Sequence, residues 1–263
     1  MMDKLLDVAG LTMDFGGLRA VDSVNLEVRK GEIVALIGPN GAGKTTFFNC
    51  VTGIYKPTAG EILASPPERP ALKINGYKPN RITGIGMART FQNIRLFQNM
   101  TVLENVMIGR NCRTSTNLLG AILRGANTRK QEAETVEISY DLLEKVGLSR
   151  FANDLAKNLP YGAQRRLEIA RALATEPFLL LLDEPAAGMN PQETSALDEL
   201  IVRIRDREGI SILLIEHDMK LVMNISDRIY VMEYGKEIAQ GSPQEIRRNP
   251  KVIEAYLGED TNA

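Results

Sequence analysis

Eight residues, Gly38-Pro39-Asn40-Gly41-Ala42-Gly43-Lys44-Thr45, constrain this chain more than any other stretch. They fit the pattern G-x-x-x-x-G-K-[ST] in full and lie between the apolar run Ile33-Val34-Ala35-Leu36-Ile37 and a helical pattern that opens at Thr46. Glycines at these positions let successive backbone N–H groups turn toward one point, and the following helix adds the positive end of its dipole. Residues 38–45, with Thr46 beside them, are therefore expected to cradle the phosphates of a nucleoside triphosphate. Lys44 is expected to reach the β- and γ-phosphates, and the Thr45 hydroxyl to ligate Mg²⁺. The motif demands a strand before it and a helix after it.

The rest of the chain fits that demand. Phe178-Leu179-Leu180-Leu181-Leu182 and Ile212-Leu213-Leu214-Ile215 are continuously apolar, as strands buried on both faces are. Residues 24–28 alternate apolar and polar, as a half-exposed strand does. Each buried run is followed by polar residues and then a helical pattern, which predicts an α/β fold with a mainly parallel sheet and functional groups at the carboxyl ends of its strands. Residues 102–110, 129–146 and 165–175 have helical period, with no strand pattern among them. We therefore expect one cassette-like chain in two parts. Residues 1–91 and 176–263 form a phosphate-loop ATPase sheet core, and residues 92–175 form an inserted helical lobe. Pro66, Pro67, Pro70 and Pro79 are expected in turns around short edge strands. A short helical tail runs from residue 242 to 257.

Two further strand ends carry chemistry. Asp183 follows the run 178–182, where a carboxylate is costly unless it meets a cation; Mg²⁺ near Thr45 is the expected one. Glu184 is then placed to orient or deprotonate a water in line with the γ-phosphate. His217, the only histidine, follows the run 212–215 and is expected at the same sheet edge, in contact with the γ-phosphate.

Bulk properties exclude other classes. The formal net charge of −1 offers no basic footprint for nucleic acid. Cys50 and Cys112 make no disulfide framework and have no metal-type neighbours. No apolar run is long enough to span a bilayer, and the first residues lack the apolar stretch of a signal peptide. The chain is expected to work in the cytosol, with any membrane role coming through a partner. Between residues 95 and 130 six cations face Glu104 alone, a composition suited to anionic headgroups or an acidic loop, although Glu132, Glu134, Glu137, Asp141 and Glu144 follow. The run 118–123 within it reads as a contact surface or a small packed helix.

The segment Leu159-Pro160-Tyr161-Gly162-Ala163-Gln164, continued by Arg165-Arg166-Leu167-Glu168-Ile169-Ala170-Arg171, resembles the signature of ABC cassettes, L-S-G-G-Q followed by a helix rich in small residues. Other elements of that family follow in order. Arg89-Thr90-Phe91-Gln92 is similar to the Q-loop, Ala187-Gly188-Met189-Asn190 to the D-loop, and Glu216-His217-Asp218 to the H-loop. Phe15 resembles the aromatic residue that stacks on adenine. In detail the chain most resembles the cassettes of high-affinity branched-chain amino-acid importers. The resemblance implies ATP and Mg²⁺ as cofactors, with Thr45, Gln92 and Asp183 around the metal and Glu184, His217 and Gln92 in hydrolysis. It also implies a second cassette as partner, in a heterodimer or a homodimer, with two membrane permeases and, indirectly, a solute-binding protein. The place of work would be the cytoplasmic face of the inner or plasma membrane.

Two departures from that pattern bear on mechanism. Pro160 stands where the signature has Ser and Tyr161 where it has its first Gly, which removes a hydroxyl and a backbone N–H donor. Asn190 stands where the D-loop has Asp. A cassette for urea, amides or lipid export, a non-transport ABC ATPase, and an ATP sensor without hydrolysis are the competing readings.

Overall fold

The computed structural model describes residues 3–113 and 126–257. The chain divides into two compact units, Met1–Gln92 with Phe178–Ala263, and Asn93–Pro177.

The first unit is built on two sheets. Strands β1 (Lys4–Phe15) and β2 (Leu18–Arg29) form a long antiparallel hairpin through Gly16 and Gly17, with Phe15 opposite Leu18. With β4 (Ala59–Ala64) and β5 (Leu72–Lys73) they make a four-stranded sheet in the order β2-β1-β4-β5. The second sheet has six strands: β3 (Ile33–Ile37), β6 (Met87–Arg89), β7 (Leu179–Asp183), β8 (Ser211–Ile215), β9 (Arg228–Glu233) and β10 (Lys236–Gly241). Their order is β10-β9-β3-β8-β7-β6, and only the β9–β10 pair is antiparallel. Every residue of β3, β7 and β8 is buried, as the continuous apolar runs require. The parallel sheet is thus the expected one. The antiparallel sheet is an addition that the alternation of helix and strand did not announce.

Helix α1 (Lys44–Val51) follows the glycine-rich loop. It buries Phe47, Phe48 and Val51 in a core shared with Leu11, Val24 and Leu26 of the antiparallel sheet and with Leu36, Leu181 and Leu213 of the parallel one. Helix α2 (Pro79–Ile85) begins with Pro79 at a first-turn position, so this proline starts a helix instead of the expected turn.

In the second unit α3 (Val102–Arg110) opens with a capping box between Thr101 and Glu104. Helix α4 (Ala126–Lys145) and α5 (Tyr161–Leu173) complete it. A Cβ on Gly109 would run into the Arg171 carbonyl oxygen, so the glycine lets α3 and α5 approach closely. Residues 118–123 lie outside the described part. Back in the first unit, β7 leads through a loop to α6 (Pro191–Glu208), and α7 (Met219–Ile225), α8 (Pro243–Arg247) and α9 (Pro250–Leu257) complete the chain.

Candidate functional site

The loop after β3 is shaped by glycine. Gly38 has φ 147° and Gly43 has φ 97°. A Cβ at either position would collide with a backbone carbonyl oxygen, that of Met232 or that of Ala20. Gly43 is the N-cap of α1 and supplies no side-chain cap, which leaves the first N–H groups of the helix to another acceptor. Lys44 is buried, and its Nζ donates to the carbonyls of Gly38 at 2.5 Å and Pro39 at 2.9 Å. The loop therefore curls around the Lys44 ammonium group. Thr45, on the first turn of α1, is exposed.

Asp183 ends β7 and is 2% exposed. The sequence suggests a metal ion as its counter-charge, but the structure supplies a guanidinium. Arg89 Nη2 donates to Asp183 Oδ2 at 2.6 Å, and Nη1 donates to Asn49 Oδ1 at 2.7 Å and Thr52 Oγ1 at 2.8 Å. Asn49 lies one turn after Thr45 on the same face of α1, so Arg89 ties Asp183 to the helix face that carries Thr45. The other carboxylate oxygen, Asp183 Oδ1, is buried without a hydrogen-bond partner. An orphaned, ionisable oxygen beside a phosphate loop suits a divalent cation. Among the described residues no cluster of three or more His, Cys, Asp or Glu side chains could hold a metal.

Glu184 has φ 45°, a left-handed conformation rarely occupied by a non-glycine residue, and its N–H donates to the carbonyl of Ile215 at the end of β8. Gln92 Nε2 donates to Glu184 Oε2 at 2.7 Å, and His217 Nδ1 lies 3.8 Å from the same oxygen. Gln92, Glu184 and His217, far apart in sequence, thus meet at one carboxylate. The phosphate loop and these residues lie at the carboxyl ends of parallel strands, where α/β sheets bind ligands. Phe15, 41% exposed at the end of β1, packs edge-on to Tyr55 with ring centroids 5.3 Å apart. It is a surface aromatic, not a core one.

Two further residues have structural tasks that sequence reasoning missed. Glu216 is fully buried behind His217 and accepts backbone hydrogen bonds from Ala186, His217 and Asp218. Burial pushes its carboxyl above the usual range. Asn190, which stands where the D-loop has Asp, also caps α6 by accepting from the N–H groups of Gln192 and Glu193, each at 3.0 Å. In the second unit Pro160 occupies the N-cap of α5, where no N–H is needed. Its carbonyl accepts from Ala163 and Gln164, and Arg165 donates to the Tyr161 hydroxyl at 3.4 Å.

A phosphate loop, an acidic strand end and a sheet edge crowded with polar side chains define a P-loop nucleotide-binding protein. Comparison with known proteins makes this more specific: the chain belongs to the ABC transporter family, whose model matches residues 21–187, and residues 236–261 match a second model described as branched-chain amino acid ATP-binding cassette transporter. It is 52% identical over 259 residues, 98% of this chain and 100% of the relative, to the high-affinity branched-chain amino acid transport ATP-binding protein LivG of Escherichia coli strain K12. Among solved structures it is similar to the ADP conformation of the ABC transporter cassette MJ1267 (33% identity, TM-score 0.83, covering 97% of this chain and 99% of that one). It is also similar to the dimeric post-hydrolysis state of the cassette MJ0796 bound to ADP and Pi (25% identity, TM-score 0.74, covering 90% and 98%).

Proposed function

We propose that this chain is the ATP-hydrolysing subunit of an importer for branched-chain amino acids, and that it drives transport through permease partners. The identity to LivG along nearly the whole chain supports the cargo. Among the described residues no helix is long and apolar enough to cross a membrane, which fits a cassette held to the cytoplasmic face by membrane subunits. A second cassette, in a heterodimer or a homodimer, supplies the signature that closes the nucleotide site; the dimeric state of MJ0796 supports the pairing of cassettes.

Residues 38–46 bind the phosphates through backbone N–H groups, and Lys44 exchanges its loop carbonyls for β- and γ-phosphate oxygens. Phe15 offers a face to the adenine. Thr45 and Asp183 Oδ1, with Gln92, would hold Mg²⁺, which supplies charge that neutralises the phosphate oxygens as the bond to the γ-phosphate breaks. Glu184 orients and deprotonates the attacking water. Gln92 and His217 fix its carboxylate and report the state of the γ-phosphate to the rest of the molecule. ATP favours the closed dimer through contacts made only there, and hydrolysis releases them.

The observation that carries this reading is the convergence of Gln92 and His217 on Glu184 at the carboxyl end of β7. Its test is Glu184→Gln in the assembled transporter. Mg-ATP binding is expected to persist while turnover falls by roughly 10²-fold or more, the loss expected for a general base. Unchanged turnover would remove Glu184 from this role, and loss of binding would show that it holds the nucleotide instead.

A further inference from the structure

We propose that Glu216 is a positioning residue for hydrolysis, a buried backbone clamp that holds both Glu184 and His217 in working geometry; the inference rests on the hydrolytic reading above. The residues of β8 before it are all apolar except Ser211, and Glu216 follows them at 0% exposure. A carboxylate there carries a desolvation cost that an apolar residue would avoid, so its hydrogen bonds must return something.

Those bonds run to both sides of the catalytic pair. Oε1 accepts from the N–H of Ala186, two residues beyond Glu184, at 2.8 Å. Oε2 accepts from the N–H groups of His217 at 3.1 Å and Asp218 at 3.4 Å, and lies 3.9 Å from His217 Nδ1. Glu184 meanwhile hangs from the Ile215 carbonyl by its own N–H. The loop from Glu184 to Ala186 is thus stitched at both ends to residues 215 and 216. A left-handed φ at Glu184 persists only where its surroundings over-determine it, and Glu216 supplies one of the two stitches. The same side chain fixes the backbone from which His217 projects, exposed, toward Glu184. Glu216 itself is fully buried, and its carboxylate is taken up by the backbone N–H groups of Ala186, His217 and Asp218. It acts through the two residues it holds.

The test is a double-mutant cycle in the assembled transporter, reading steady-state ATP turnover alongside equilibrium affinity for Mg-ATP. Glu216→Gln keeps the shape but presents an amide to N–H donors that need an acceptor. It is expected to lower kcat by about 10²-fold, the scale of a small misplacement of catalytic groups, while affinity changes little. In a His217→Ala or Glu184→Gln background the same substitution should cost little more, because the groups it positions are already gone. Glu216→Asp keeps the charge at shorter reach and should lie between; if Glu216→Gln does not fold, this milder variant carries the cycle. Three outcomes would overturn the proposal: undiminished kcat, a kcat loss of the same factor in every background, or affinity falling in step with kcat. If His217→Ala and Glu184→Gln themselves leave turnover intact, the hydrolytic reading is what fails. If they lower it and the Glu216 variants leave it undiminished, only the clamp fails.

Discussion

Arg89 and Asp183 show how much of this site is decided by one side chain meeting another. Their side chains are 9% and 3% exposed, and the guanidinium also holds Asn49 and Thr52 of α1. Removing one member of a buried pair leaves a charge without its partner, which costs about 3–5 kcal/mol. Arg89→Met is therefore expected to destabilise the protein by about that amount in chemical denaturation. Adding Asp183→Asn should restore much of the loss, since no buried charge then remains. Additive losses would mean that Arg89 stabilises through its contacts with α1 rather than through Asp183. Reading Asp183 as a buried carboxylate in need of a cation is sound physics, and the strand before it makes the residue stand out. The identity of the cation on Oδ2 is not legible, because Arg89 lies 94 residues away in the chain and reaches Asp183 only once β6 and β7 pair. Glu216 was hidden differently: it follows an apolar strand as Asp183 does, but the conspicuous histidine beside it drew the functional reading away from it.

At the scale of elements, the buried parallel strands were legible because an apolar run can be placed in few other ways, and α1 because the glycine-rich loop must be followed by a helix. The antiparallel sheet was less so. Strand β1 contains Asp7, Gly10 and Thr12, and its pairing shifts register several times against β2, so no clean alternation marks it. Helix α6 presents a different problem. Its cap is well made, with Pro191 in the first turn and Glu193 closing the box on Asn190. Its second turn, however, places Asp198 in a half-buried spot, with Oδ1 lacking a partner. Burial, then the like charges of Asp218 and Glu216, raise its carboxyl to about 6 against a partial offset from Lys220. Folding therefore favours the protonated acid. That contribution is full below the ordinary carboxylate range and is lost as pH rises through about 6, where the folded protein must ionise the group. Asp198→Asn removes the titration. The variant should melt above the wild type at pH 8 and lose the advantage at pH 4. Solvent screening at this half-buried position holds the gain to about 1 kcal/mol, or roughly 2–4 °C in Tm. A difference independent of pH would assign the effect to α6 packing instead.

For the whole molecule, the departures in the signature become a statement about a dimer. Pro160 fits its place in the fold without strain, since an N-cap residue needs no N–H and its carbonyl still accepts two helical bonds. Tyr161 is 43% exposed, and its hydroxyl is engaged by Arg165. Both residues are accommodated locally at the start of α5, so their consequence lies at the dimer. In the cassette arrangement proposed above, a signature covers the nucleotide of the opposite subunit. Where the usual Ser would offer a hydroxyl and a backbone N–H to the γ-phosphate, Pro160 offers neither. Each hydrogen bond to a charged group contributes about 1.5–3 kcal/mol, and about 1.4 kcal/mol is a tenfold difference, so the site that this signature closes should turn over roughly tenfold slower or more. The phosphate loop of this chain, covered by the partner's signature, is unaffected by the change. If the partner carries the usual Ser, Lys44→Ala in this chain should therefore remove most of the ATPase activity of the assembled transporter. The matching change in the partner should spare most of it. Measuring both single-site rates at saturating Mg-ATP decides the matter: equal rates would mean that Tyr161, or the rest of the signature helix, replaces what Pro160 withholds.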